Sequence, residues 1–290
     1  MTSGRRPAAP AITVIVATYN SAATLTEALR SVSAQDYEDF EVLVVGDGCT
    51  DDSEDVVRGA GDPRFTWIGL PENSGGPAAP RNVALERARG RAVAHLGHDD
   101  LWFPDHLSIA MAALDGGDAD LVSTVGIALW PSAPPLRFSL PASANPALTG
   151  EGLSPSTWVH RMALPAGCDR WPTDVDLADD VVFLRRLRDA GGREQVVDSI
   201  TVLKFPSPVW RLYRSADPPP LADWNEVLAS DPDSARQRLA SESVGRRPGP
   251  GWKRGLRRLL YAYGVDRWPA AQLHRFSSRR RRGLPIIRRR

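Results

Sequence analysis

The chain has 290 residues, enough for one large domain with an appendage, and its hydrophobic share of 42% is that of an ordinary globular protein. The net charge of +1 by itself suggests no polyanionic partner, but it hides 15 Lys and Arg against the single acid Asp266 from Arg246 onward, a net +14, and 21 bases against 34 acids before it, a net −13. Cys49 and Cys168 make neither a metal spacing nor a disulfide framework, residues 1–10 lack the apolar core of a signal peptide, and no run reaches the ~18–20 apolar residues of a membrane span, so a cytoplasmic body is expected.

Ala11 to Ala17 is a continuous β-branched run, which predicts a strand buried on both faces. Asn20 or Ser21 can cap a following helix whose Leu25, Leu29 and Val32 share one side. Phe40 to Val45 predicts the second strand of a βαβ unit. Strands are then expected at Arg64–Leu70, Arg91–Leu96, Leu121–Trp130, Trp158–Leu164 and Val196–Phe205. Helices are expected at Pro80–Arg89, with Val83 and Leu85 inward, at Pro104–Leu114, and at Leu177–Asp189 before Gly191-Gly192. The Pro-rich stretch Pro131–Pro155 is too long for a passive connection and reads as a substrate-covering segment. This alternation implies an α/β fold, a mainly parallel sheet flanked by helices. Beyond Phe205 the composition shifts through Pro218-Pro219-Pro220, so 206–250 is read as an irregular extension. Trp252–Tyr263 predicts an amphipathic helix with a basic face, and the arginine-rich end after it reads as disordered, like residues 1–10.

Ligands of open α/β sheets lie beyond the carboxyl ends of the strands. Four polar clusters fall there: Thr18-Tyr19-Asn20, Gly46 to Asp51, His98-Asp99-Asp100, and Asp179-Asp180 opening a helix. Singly each has a plain structural reading: a turn, a solvated loop, a helix cap. Gathered on one sheet edge, the acids would repel one another unless a cation held them, and paired aspartates suit Mg²⁺ or Mn²⁺. His98 is read as an exposed loop histidine rather than a ligand; His160, Trp171 and Trp210 are read as packing residues before acceptor contacts.

The ordered series Val14–Asn20, Ala34–Ser53, Pro71–Gly90, His95–Leu107 and, more weakly, Asp176–Leu187 resembles the family-2 glycosyltransferases, over about residues 11–205. The resemblance implies the GT-A fold, with a Rossmann-like nucleotide-sugar-binding half over 11–115 and an acceptor-binding half over 116–205. It places Thr18, Tyr19, Asn20 and Asp47 at the nucleotide, with Asp47 accepting from a ring N–H. It places Asn73 and Gly76 in a donor-facing loop, Arg81 near the diphosphate, Asp99 and Asp100 in the metal-binding motif, and Asp180 as the base of an inverting transfer. Mn²⁺ or Mg²⁺ and a UDP, dTDP or GDP sugar are the implied cofactor and donor. This sequence departs from the usual pattern at Gly46, where an acid is common, at Cys49 for Ser, at Gly97 for Asp, and at Asp179 for Glu. The Gln-x-x-Arg-Trp motif of processive synthases is missing, so transfer of one sugar is expected. Competing readings are a nucleotidyltransferase, against which the opening ATYNSAATL lacks a Gly-rich loop with a basic residue, a catalytically silent sugar-nucleotide binder, and a nonspecific nucleic-acid binder acting through the arginine tail. The tail is expected instead on an anionic membrane surface near a lipid-linked acceptor, with no specific nucleic acid as partner.

Overall fold

The computed structural model of the chain describes residues 9–129, 134–139, 154–175, 179–205 and 220–244. Its first unit is β1 (Ile12–Thr18), α1 (Ala22–Ser33) and β2 (Phe40–Asp47). Ile12, Val14 and Val16 of β1 join Val42 and Val44 in a core under Leu25, Leu29 and Val32 of α1. Ile15, Leu43 and Val45 enter a second core on the opposite face. Successive strand side chains alternate between faces, so a strand covered on both must be apolar throughout.

The chain continues through α2 (Ser53–Gly59), β3 (Phe65–Leu70), α3 (Ala78–Leu85), β4 (Ala92–Gly97), β5 (Asp100–Trp102) and α4 (His106–Gly116). Then follow β6 (Leu121–Ala128), β7 (Leu136–Phe138), a 3₁₀ turn (Pro155–Thr157) and β8 (Trp158–Arg161). The described chain closes with α5 (Asp179–Asp189), β9 (Glu194–Lys204), α6 (Leu221–Ser230) and α7 (Pro232–Val244). The sheet runs β3-β2-β1-β4-β8-β6-β9-β5, with β7 beside β6. Pairing is parallel from β3 to β4 and between β6 and β9; β8, β7 and β5 pair antiparallel. Because β2 and β4 flank β1 on opposite sides, the order reverses there, and the carboxyl ends of β1 and β4 are where an open α/β sheet binds its ligands. The amino end is closed by buried Glu41, which accepts from Thr13 Oγ1 at 2.8 Å and Arg89 Nε at 2.7 Å.

Several expectations are corrected. The stretch 206–250 is not irregular where it is described: α6 and α7 lay Leu221, Leu228, Ala235 and Leu239 over Leu101, Phe103, Ile127 and Phe205. Asn225 Nδ2 also donates to the Glu27 carbonyl of α1 at 2.9 Å, and Arg236 Nη2 reaches both Asp105 oxygens at 2.6 Å. Neither Asn20 nor Ser21 caps α1 with its side chain. Asp51 does so from the next loop, accepting from Ala22 N at 2.9 Å while also taking Ser53 Oγ at 2.6 Å. One carboxylate thus serves the starts of α1 and α2. On α3 the buried positions are Ala78, Pro80, Asn82 and Ala84, with Val83 and Leu85 half-buried. The helix sits close because these residues are small, and the Asn82 amide exchanges two hydrogen bonds with the Trp171 backbone, at 2.9 and 2.7 Å. Most of Pro131–Pro155, Trp210, the helix expected at Trp252–Tyr263, the arginine-rich end and residues 1–8 lie outside the described residues.

Gly46 has a packing reason. A Cβ on it would overlap the six-membered ring of Trp67, which lies across β2 from the neighbouring strand. By strand alternation that is the face opposite Asp47. Overpacking of this kind costs about 1–3 kcal/mol. Gly46→Ala should therefore lower the melting temperature, and the penalty should shrink when Trp67 is Leu; calorimetry on the two single variants, the double variant and the parent reads the coupling.

Candidate active site

Two groups of polar side chains line the carboxyl edge of the sheet. The first lies beyond β1, β2 and β3. Asp47 is buried and accepts from Ser74 N at 3.0 and 3.1 Å and from Ser74 Oγ at 3.0 Å. Asn73 Nδ2 donates to the Asp47 carbonyl at 3.1 Å, and Asn73 Oδ1 accepts from Gly75 N at 2.8 Å. Asn20, with φ 45°, accepts from Thr50 N at 2.8 Å. Asn20, Asp47 and Asn73 thus fasten three loops together, and Tyr19 and Gly76 stand exposed beside them. Thr18 is buried; its carbonyl accepts from Cys49 Sγ at 3.5 Å, and its hydroxyl has no partner. Burial pushes the Cys49 thiol up, so it is a packing group rather than a thiolate.

The second group gathers Asp99, Asp100, Lys204, Arg81, Asp179 and Asp180. Asp99 and Asp100 are 1% and 0% exposed. Asp100 is the Cα partner of Lys204 across β5 and β9, and the Lys204 ammonium stands 3.2 Å from its Oδ2. Ser156 Oγ donates to the same oxygen at 2.6 Å and accepts from Gly97 N at 3.0 Å. Burial raises the Asp100 carboxyl, Lys204 opposes that rise, and Asp99 adds to it. A Cβ on Gly97 would lie 2.9 Å from Asp100 Oδ2 and 3.0 Å from Asp99 Oδ1, so glycine there is what lets both carboxylates close over the end of β4.

Arg81, on α3, is held twice. Its Nη1 pairs with Asp179 at 2.9 Å, and its Cζ lies 4.2 Å from the Trp171 ring centroid. Trp171 stacks on Phe183 of α5 with centroids 4.6 Å apart, so one aromatic platform seats the arginine and the helix carrying Asp180. Asp180 is 5% exposed. Burial, then Asp179, push its carboxyl up to about 7, against a hydrogen bond from Val181 N and the charges of Arg81 and Lys204.

The donor set of Asp99 and Asp100 is hard oxygen, two buried carboxylates side by side, which suits Mg²⁺ or Mn²⁺. Among the described residues no three acids, histidines or cysteines come together to hold an ion. Such a site fits an ion that keeps one or two carboxylates and takes its other oxygens from substrate phosphates. His98, expected exposed, is half-buried, with Nδ1 3.2 Å from the Ala17 carbonyl. His160 is buried, its Nε2 3.2 Å from His95 Nε2, and its ring is held neutral by burial. It packs, as does buried Trp171.

The sequence profile of glycosyl transferase family 2 matches residues 13–128. That segment belongs to glycosyl transferase family 2. The chain is 38% identical over 112 residues to a succinoglycan biosynthesis protein, ExoO, of Rhizobium meliloti, covering 39% of this chain and 32% of that one. It is 39% identical over 112 residues to the poly(ribitol-phosphate) beta-N-acetylglucosaminyltransferase TarS of Staphylococcus aureus, covering 38% of this chain and 20% of that one. The matched segment thus spans a third or less of either relative. In three dimensions the chain is similar to S. aureus TarS 1–349 in complex with UDP, at TM-score 0.57 and 30% identity, over 68% of this chain and 61% of that one. A mannosyltransferase of Pyrobaculum calidifontis, solved with GDP-Man and Mn²⁺, shares the fold at TM-score 0.57 and 22% identity, over 94% and 81% of the chains. The GT-A architecture expected from the sequence is the one present.

The family 2 segment ends at β6, so Ser156, Asp179, Asp180 and Lys204 join the site from outside it. Sequence reading missed Lys204 and Ser156. For Lys204 a signal was available: one lysine interrupts the apolar strand Ile200–Phe205. Ser156 follows the Pro-rich stretch and carried none. Because the folded-state carboxyl of Asp180 is raised from 3.8 to about 7, its contribution to stability is fully present below pH 3.8 and is lost as pH rises through about 7. Melting temperatures measured from pH 5 to 8 should show Asp180→Asn gaining on the parent protein as pH rises.

Proposed function

We propose that the chain is a metal-dependent, inverting glycosyltransferase that moves one sugar from a nucleotide-diphosphate donor to an acceptor hydroxyl. The observation that carries this reading is Asp180, a buried carboxyl pushed up to about 7, on the same sheet edge as Asp47, Asp99, Asp100 and Arg81. A base with such a carboxyl is half-ionised near neutrality and strong enough to assist a hydroxyl. The reading is supported by membership of the 13–128 segment in family 2 and by the likeness to a TarS structure that holds UDP.

In this proposal Tyr19 and the Asp47 loop take the base, Asn73 and Gly76 border the donor, and Thr18 and Asn20 form the floor beneath it. Asp99 and Asp100 would hold Mg²⁺ or Mn²⁺, which when bound offsets charge on the diphosphate. The acceptor oxygen bonds to the anomeric carbon as the bond from that carbon to the diphosphate oxygen breaks; Asp180 takes the hydroxyl proton, and Arg81 meets charge on the leaving group. One displacement inverts the anomeric centre. An acceptor in polymer synthesis fits relatives named for succinoglycan biosynthesis and for poly(ribitol-phosphate), and a single transfer fits the missing processive motif. Among the described residues no helix is long and apolar enough to cross a membrane. The two glycines that motivated a catalytically silent binder each have a packing reason, Gly46 with Trp67 and Gly97 with the paired aspartates, and this favours an active site.

Asp180→Asn should lower kcat by roughly 10²-fold or more with donor affinity within a few-fold, and Asp179→Asn should be milder, since that residue orients Arg81. In the parent protein kcat/KM should rise with pH with its midpoint near 7, because the ionised base is the active form. Near-full transfer by Asp180→Asn, or a retained anomer in the product, would overturn the assignment. Calorimetry should also find metal-dependent binding of a nucleoside diphosphate abolished when Asp99 and Asp100 are both alanine.

A further inference from the structure

Lys204 does something the proposed chemistry leaves unassigned. It ends β9, among buried Val202, Leu203 and Phe205, yet its side chain turns to the polar edge. Its ammonium is 3.2 Å from Asp100 Oδ2 and 3.4 Å from Asp100 Oδ1, the oxygens a divalent ion would need. Backbone pairing fixes it there, because Asp100 and Lys204 are opposed residues of an antiparallel ladder and their side chains share a face. Lys204 also lies close enough to Asp180 to pull that carboxyl down. A divalent ion and an ammonium cannot share one buried carboxylate without strong mutual repulsion, since water does little screening there.

We infer that Lys204 is an internal competitor for the divalent ion. In the nucleotide-free protein its ammonium occupies the cation position at Asp100, and an ion enters only together with a diphosphate, whose oxygens complete its coordination and whose charge receives the displaced ammonium. Lys204 is thus a positioning residue: it holds Asp100 in place between donors and makes metal binding depend on nucleotide. The inference rests on the proposed metal–nucleotide site.

The test is a titration of Mn²⁺ followed by the paramagnetic resonance signal of the free ion, on the full chain, with no nucleotide and then with UDP, and with GDP in a parallel series. Without nucleotide the parent protein and Lys204→Arg should bind Mn²⁺ weakly, and Lys204→Met at least roughly tenfold more tightly, because the cation that competes at Asp100 is gone. A nucleotide should narrow the gap. Mn²⁺ should also raise the melting temperature of Lys204→Met by more than that of the parent. Should Lys204→Met fail to fold, Lys204→Gln, which keeps a donor to Asp100 without the charge, should show the same ordering. Equal Mn²⁺ affinity of the parent and the neutral variants without nucleotide, with nucleotide-dependent binding retained, would overturn the competition and leave the metal–nucleotide site standing. Absence of Mn²⁺ binding by every variant under every condition would overturn both.

Discussion

Three buried carboxylates, Asp99, Asp100 and Asp180, stand at one end of the sheet, and the cost of burying their charge is the constraint to which the rest of the site answers. A buried ionised carboxylate without a partner costs several kcal/mol, so such a group is stable only with compensating charge. Lys204 and Arg81 supply part of it, one from a strand and one from a helix, and each is pinned by its own surroundings. Burial is the first cause that raises the Asp100 and Asp180 carboxyls, and a neighbouring aspartate adds to each. Buried carboxylates of this kind are suited to a bound cation and, at Asp180, to a proton that comes and goes near neutrality.

The two ends of the sheet show how the same residue type is put to different use. At the amino end Glu41 is a carboxylate with its needs met, by Thr13, Arg89 Nε and the Arg89 backbone N–H, and it holds α3 and β4 in register. At the carboxyl end, where the strand order reverses, Asp100 is held by Lys204 and Ser156 and the buried carboxyl of Asp180 is pushed up to about 7.

Much of this was legible in the sequence, and the pattern of what was not is physical. Continuous apolar runs announced β1, β2 and β4 because a strand covered on both faces admits few polar residues. The acids following those runs were found for the same reason, since polarity at the end of a buried strand stands out. β5 was missed: with three residues, the first of them an aspartate of the acidic motif, it has no period to read, and only its ladder with β9 makes it a strand. α6 and α7 were missed because their apolar residues are spaced thinly and follow a proline break, yet four of them suffice to cover the flank of the sheet. The helix start at Ala22 was located, but the cap comes from Asp51, which local sequence rules cannot assign. Gly46 read as a departure from its family until Trp67 was placed against it.

The pairing of Asp100 with Lys204 joins residues 104 positions apart, and this sets an order of events during synthesis. The strands β1 to β4 can assemble as they emerge, but Asp100 has no cation until β9 has been made. At about 5–20 residues per second a ribosome needs on the order of 5–20 s to cover that distance. Throughout that interval the nascent chain carries an acidic, half-built edge, and β5 lacks the strand that defines it. The arrival of β9 is therefore a late step of biogenesis, and α6 and α7 follow it to cover the same flank.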